Sequence, residues 1–272
     1  METGVTDSGA TGSLAGFLLL QWDGLRLQWL VGTDRVVHNC GEQPAKDLRE
    51  LEFTLRDLHG KGLKADRVIW SLRAPSTSVW PAILVEGVEE QAFRLEHKSL
   101  EGMQVQSFRS EGMAEEHVFV EAAEKSVGAM VEAVWPQAER VSAVQQWAEA
   151  AIRQDLALKA SSIYLDVGHK RTLLVRTCAG VPHQVQILPC SDPEGLLYHV
   201  VNGLHRNGLE PATCGAVVRW SGESAKGDTR WTLFSRFFPE MEMNAGFKGM
   251  QWGELDLRRE RWVSLTNLTA CV

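Results

Sequence analysis

The feature that most constrains this 272-residue chain is that one order of elements occurs in it twice. In the first copy, Phe17 to Trp22 and Leu25 to Val31 are apolar, β-prone runs joined through Asp23-Gly24, a two-residue hairpin signal. A third short strand is expected at Arg35 to His38. Pro44 then stands at a plausible first helical turn, and Leu48, Leu51, Leu55 and Leu58 recur at three- and four-residue spacing, which predicts an amphipathic helix. Gly60 and Gly62 end it, because glycine takes the left-handed conformation that caps helices, and a buried-type strand follows at Val68 to Leu72.

The same order returns about 146 residues later, with strands expected at Ile163 to Val167, Thr172 to Thr177 and Gln184 to Leu188. Ser191-Asp192-Pro193 supplies a cap and an initiating proline, and Leu197, Val200, Val201 and Leu204 form the second apolar stripe. The helix endings also correspond: Leu58-His59-x-x-Gly62-Leu63 matches Leu204-His205-x-x-Gly208-Leu209. Between the copies, residues 79–123 read as an insertion of strands at Gln91 to Glu96, Met103 to Phe108 and His117 to Val120. Ala123 to Trp135 carries helical spacing up to Pro136, and Ala143 to Leu158 predicts a helix that bridges two lobes. Asp228 can cap a helix with Leu233, Phe234 and Phe237 on its apolar face, and the stretch beyond Pro239 carries no clear pattern.

Composition narrows the partners. The formal charge of -7 disfavours phosphate backbones and anionic lipid, so neither nucleic acid nor a membrane surface is expected as a partner. The longest apolar runs, Phe17 to Leu20 and Val79 to Val85, fall far short of the roughly 20 residues a membrane span needs. The start, residues 1–13, has no basic residue ahead of an apolar core and reads as a flexible tail rather than a secretory signal. Cys40, Cys178, Cys190, Cys214 and Cys271 have neither CxxC nor Cys/His metal spacing, which points to free thiols in a reducing cytoplasm. Asn267-Leu268-Thr269 fits a glycosylation pattern that matters only on secretion.

The element order, together with several local stretches, resembles the actin-like ATPase superfamily, which includes sugar kinases, heat-shock ATPases and pilus-assembly actin homologues. More closely, the chain resembles a family of uncharacterised bacterial proteins assigned that fold. The resemblance is carried by Thr77-Ser78-Val79-Trp80-Pro81, by His117-Val118-Phe119-Val120 and by Val134-Trp135-Pro136. In the second half it rests on Leu188-Pro189-Cys190-Ser191-Asp192-Pro193-Glu194-Gly195-Leu196-Leu197-Tyr198 and on Val217 to Gly222. It implies an α/β fold of two ribonuclease H-like lobes, the first at 14–160 with inserted strands near 79–123 and the second at 161–272. It brings no established activity.

Proteins of that superfamily hold phosphates in one hairpin loop per lobe, and the loop must leave backbone N–H groups free to surround them. Asp23-Gly24 has no Ser or Thr beside it and reads as a plain hairpin turn. The second hairpin retains Asp166, Gly168, Lys170 and Thr172, the candidate nucleotide contacts, yet Asp166 aligns by spacing with Leu20 rather than with Asp23. Gly222 alone follows the strand where the superfamily has adjacent glycines on the adenosine side, and Gly246 and Gly249 do not form a pair. Gly222-x-x-x-x-Gly227 lacks the lysine of a P-loop, with Asp228 in its place.

His59 and His205 read as helix-end residues, and no Ser or Cys nucleophile has a partner at recognisable spacing, so no catalytic residue is assigned. Trp22, Trp29, Trp70, Trp80, Trp220 and Trp231 are expected to fill sheet faces and the lobe junction, the alternative for some of them being an exposed recognition patch. The sequence thus favours a non-catalytic scaffold that binds an unidentified protein without a cofactor. The alternative is an ATP- and magnesium-binding protein, a weak ATPase or small-molecule kinase, using the second hairpin.

Overall fold

A computed structural model describes residues 15–73, 76–97, 100–110, 113, 115–189, 192–244, 246, 250–253, 255 and 258–268. The expected N-terminal tail, Cys190, Cys271, Gly249 and Thr269 lie outside the described residues.

The first sheet begins with β1 (Ala15–Trp22), β2 (Arg26–Thr33) and β3 (Val36–Pro44), followed by helix α1 (Leu48–Gly60) and β4 (Ala65–Leu72). β1 pairs antiparallel with β2 and parallel with β4. Its Phe17-Leu18-Leu19-Leu20 run is buried on both faces, which is why it lacks polar alternation. Pro44 closes β3 rather than opening α1, and the cap is Asp47, whose side chain accepts from the Glu50 N–H. A carboxylate satisfies one of the free N–H groups of a first turn, whereas Pro44, still paired with Arg26, lies too early.

An inserted unit follows: β5 (Ser76–Pro81), α2 (Ala82–Val85), α3 (Glu89–Glu96), β6 (Met103–Arg109) and β7 (His117–Glu124). Its three strands form a separate sheet in the order β5-β7-β6. The strand expected at Gln91 to Glu96 is helix α3 instead. Gln, Ala, Leu and Glu favour helix, the Glu90–Arg94 pair spans one turn at 2.6 Å, and the one fully buried side chain is Phe93.

α4 (Lys125–Val134) packs beside α1 on the outer face of the first sheet, and β8 (Glu139–Arg140) extends that sheet parallel to β4. α5 (Ala143–Leu158) is buried from Ala143 to Ile152 and lies against the second sheet, with Phe119 of the insertion and Val263 near the C-terminus completing its core.

The second sheet contains β9 (Ser161–Val167), β10 (Arg171–Cys178), β11 (Val181–Pro189), helix α6 (Pro193–His205), β12 (Val217–Gly222), α7 (Thr229–Phe234) and β13 (Met241–Met243). The strand order β11-β10-β9-β12-β13 repeats the order β3-β2-β1-β4-β8 of the first sheet. The two helix endings close identically: Leu63 N–H donates to Leu58 C=O at 3.2 Å and Leu209 N–H to Leu204 C=O at 3.1 Å. Gly62 and Gly208 take φ of 84° and 68° there, which a side chain resists.

Asp228, the residue in the false P-loop match, caps α7 through the Trp231 N–H. Phe234 and Phe238 fill the core under that helix while Phe237 is exposed, so the predicted apolar face is shifted by one residue at its end. The unpatterned stretch beyond Pro239 returns to the first sheet: β14 (Gln251–Trp252) pairs with β3, and a 3-10 turn (Arg259–Trp262) leads into α8 (Val263–Thr266). Trp262, Leu265 and Leu268 cover the inner face of the first sheet, against Phe17, Leu19 and Ile69. A fully buried leucine or tryptophan contributes about 1.5–3 kcal/mol, so these three anchor the segment between the lobes.

Candidate functional site

The strands β1 and β9 end side by side at the lobe junction, and their registers define what stands there. Gln21 pairs with Ser71 across β1 and β4, and Asp166 pairs with Ser221 across β9 and β12. The first-lobe counterpart of Asp166 is therefore Gln21, not Leu20 as residue spacing suggested. Gln21 to the Asp47 cap and Asp166 to the Asp192 cap span the same length, and the one extra residue of the second copy lies within the helix, between Asp192 and Leu204.

Gln21 and Asp166 are bridged by Arg73, which follows β4. The Arg73 Nε donates to Gln21 Oε1 at 3.3 Å, and its Nη2 pairs with Asp166 Oδ2. Asp166 is 0% exposed and Arg73 is 7% exposed, so the pair lies in the interior. Ser221 Oγ donates to Asp166 Oδ1 at 3.0 Å, and Ser264 also hydrogen-bonds this carboxyl while accepting from Gln21 Nε2 at 3.1 Å. Burial pushes the Asp166 carboxyl above its ordinary value; Arg73, Ser221 and Ser264 pull it back, and Glu223 adds to the rise.

Around this centre runs an ion-pair seam that ties three parts of the chain. Glu42 of β3 meets Arg26 of β2 and Arg261, each at 2.6 Å. Arg261 also reaches Glu223, just beyond β12, at 2.9 Å, and Glu223 lies 3.6 Å from His169 at the second hairpin. Arg258 Nη2 donates to the Gly222 C=O at 3.0 Å.

The other candidate residues are built into the same junction. Gly168 is covered by Arg73: a Cβ there would lie 2.5 Å from Arg73 Nη1 and 2.6 Å from the Arg171 C=O. The Gly168 N–H donates to that Arg171 C=O at 2.9 Å, closing the turn. Thr172 is buried, and its hydroxyl has no partner among the described residues. Lys170 is exposed at the tip. Gly222 has φ of 94° and packs on β9, where a Cβ would lie 2.4 Å from the Val167 C=O. Close backbone approach thus explains Gly222 within the sheet itself.

Where the fold implies a magnesium nucleotide, the acidic residues and one loop N–H are already engaged within the chain. Asp166, the carboxylate nearest the centre, spends its oxygens on Arg73 and two serines. In the first hairpin, the Asp23 carboxylate accepts from the Leu25 and Arg26 N–H groups at 2.8 Å each, filling the concavity a phosphate would need. In the second, the Gly168 N–H is spent on the turn. Among the described residues no group of three or more His, Cys, Asp and Glu is placed to hold a metal ion.

Sequence reasoning missed Gln21, Arg73, Ser264 and Arg261. Nothing in residue spacing joins Arg73, which follows β4, to Asp166 of β9 across 93 positions. Of the six tryptophans assigned to the interior, Trp70, Trp220 and Trp231 are buried, whereas Trp22, Trp29 and Trp80 are half-buried. His205 pairs with Glu210 at 3.2 Å, and the His59 ring meets Trp135 edge-on.

No protein-family model matches the chain, and no curated protein matches it. Solved structures do. A Bacteroides thetaiotaomicron VPI-5482 protein with an actin-like ATPase fold and unknown function superposes with a TM-score of 0.77 at 13% identity, covering 94% of this chain and 96% of that one. The PilM–PilN type IV pilus biogenesis complex superposes with a TM-score of 0.67 at 13% identity, over 95% of this chain and 99% of that one. The chain therefore has the two-lobed actin-like ATPase fold.

Proposed function

We propose that this actin-fold protein works without nucleotide, as a scaffold that binds a protein partner. The observation that carries the reading is the Arg73 guanidinium between Gln21 and Asp166: a cation of the protein's own bridges the lobes through Asp166, a residue of the candidate nucleotide site. Holding the lobes together by side chains removes the reason for a bound nucleotide and leaves a fixed surface for a partner. A solved neighbour with this fold, PilM, is found in complex with PilN, which supports a partner-binding use of the scaffold. No helix among the described residues is long and apolar enough to cross a membrane. Cys40, Cys178 and Cys214 are free, in keeping with a reducing cytoplasm.

The test is the melting temperature with and without millimolar Mg-ATP or Mg-ADP. A ligand at about 100 times its dissociation constant adds roughly 2.7 kcal/mol, equivalent to about 5 °C for a chain of this size. No shift is expected. A magnesium-dependent rise of that size, lost in Asp166→Asn, overturns the reading in favour of an ATP-binding protein.

A further inference from the structure

The inserted unit combines two properties, net negative charge and strongly exposed apolar side chains. The first is charge. Residues 76–124 hold ten glutamates against three Arg and Lys, a balance of -7, which is the formal charge of the whole chain. The remaining residues are therefore balanced, and the negative field originates from this unit.

The second is exposed apolar surface. Helix α2 is a single turn that turns Ala82 and Val85 into the core formed with Phe93, Val118 and Val120. That geometry forces Ile83 and Leu84 outward, at 85% and 70% exposure. An ordinary solvated turn would carry polar residues there. Val88 and Leu95, seven residues apart and so on one side of α3, are also exposed, Leu95 at 83%. Glu86 and Glu115 join Ile83 in lining a groove beside this turn. Arg94 and Arg109, the described cations of the unit, are both paired with its own glutamates and leave the negative field in place.

We infer that the α2–α3 face of the insertion docks a cationic amphipathic helix of a protein partner. An apolar stripe ringed by carboxylates matches a helix with leucine-like residues on one side and Lys or Arg on its flanks. The same field repels anionic lipid and nucleic acid, and the charge-balanced remainder of the chain offers a second copy no comparable attraction. The inference rests on the partner-binding reading above and names the partner's chemistry.

The probe is a fluorescent synthetic helical peptide of lysine and leucine, titrated by anisotropy at low and high salt beside a glutamate and leucine peptide of the same pattern. The cationic peptide is expected to bind, more weakly as salt rises, and the acidic one not at all. Ile83→Gln/Leu84→Gln changes no charge and touches no core contact, so it should weaken binding roughly tenfold or more while the melting temperature holds. Glu86→Lys/Glu115→Lys should do the same and flatten the salt dependence. Phe53→Gln, at an exposed site on α1, is the control and should change nothing. Absence of cationic-peptide binding, binding indifferent to Ile83 and Leu84, or concentration-dependent self-association lost in the Ile83/Leu84 variant overturns the inference. Failure here with no effect of Mg-ATP on melting leaves nucleotide independence standing. A Mg-ATP effect with peptide binding intact removes that independence alone.

Discussion

Replacing Arg73 by methionine removes the guanidinium from the lobe junction while keeping most of the side chain's apolar volume. The loss is large because the partner is trapped: Asp166 is fully buried, and its remaining hydrogen bonds come from Ser221 and Ser264. Breaking a buried pair by deleting one member costs about 3–5 kcal/mol, most of it the cost of an uncompensated charge. At about 2 °C per kcal/mol for a chain of this length, Arg73→Met should melt roughly 6–10 °C below the parent.

The deficit has a defined pH dependence. Burial already raises Asp166, and without Arg73 the opposing attraction is lost, so its folded-state pKa rises further above the ordinary value of 3.8. A raised folded-state pKa gives stabilisation that is present below the unfolded value and is lost as pH rises through the folded one. Arg73→Met should therefore fall further behind the parent as pH rises from about 4 through neutrality. Arg73→Met/Asp166→Asn, which removes both charges, should regain most of the loss. Melting followed by circular dichroism on the four proteins, from acid to neutral pH, gives the cycle. Single variants each within about 1 kcal/mol of the parent, or a double variant as unstable as the sum of the singles, would refute an interior ion pair at the junction.

Three other buried positions give measurable outcomes. Burial pushes Glu121 from 4.5 up to about 7 against the pull of Ser142 and Arg140, so stability should fall as pH rises between those values, by about 3 kcal/mol, and Glu121→Gln should remove that slope in denaturant titrations. Gly222→Ala forces a Cβ to 2.4 Å from the Val167 carbonyl at a φ of 94°, and a lower melting temperature equivalent to about 1–3 kcal/mol is expected; an unchanged midpoint contradicts the close packing. Asp155, fully buried, accepts from the hydroxyls of Ser162 at 2.7 Å, Tyr164 at 2.8 Å and Thr177, so Asp155→Ala should cost at least about 2 kcal/mol, read as an earlier denaturant midpoint.

How much of this was legible in the sequence follows from the range of each signal. Hairpins, the stripes of α1, α5 and α6 and the glycine-capped endings are local, and periodicity reports them directly. α3 was misread as a strand because a short segment with a single core residue, Phe93, has too little periodicity to separate the two alternatives. The C-terminal return was invisible, since Trp262, Leu265 and Leu268 take their meaning from β1, about 250 residues earlier. At the site, Asp166, Gly168 and Gly222 could be singled out because their residue types carry a backbone or charge signature. Their roles could not, because each is set by a group distant in sequence: Arg73 over Gly168, Val167 against Gly222, and Ser264 beside Asp166. A one-residue offset between strand and helix spacing was also enough to align Asp166 with Leu20, concealing Gln21.

In the proposed function, the chain's own arginine occupies the place a nucleotide would take. Crystals grown in millimolar Mg-ADP test it most directly. The Arg73 guanidinium is expected between Gln21 and Asp166, with no nucleotide density at the lobe junction. Mg-ADP bound there, with Arg73 turned away from Asp166, would contradict it.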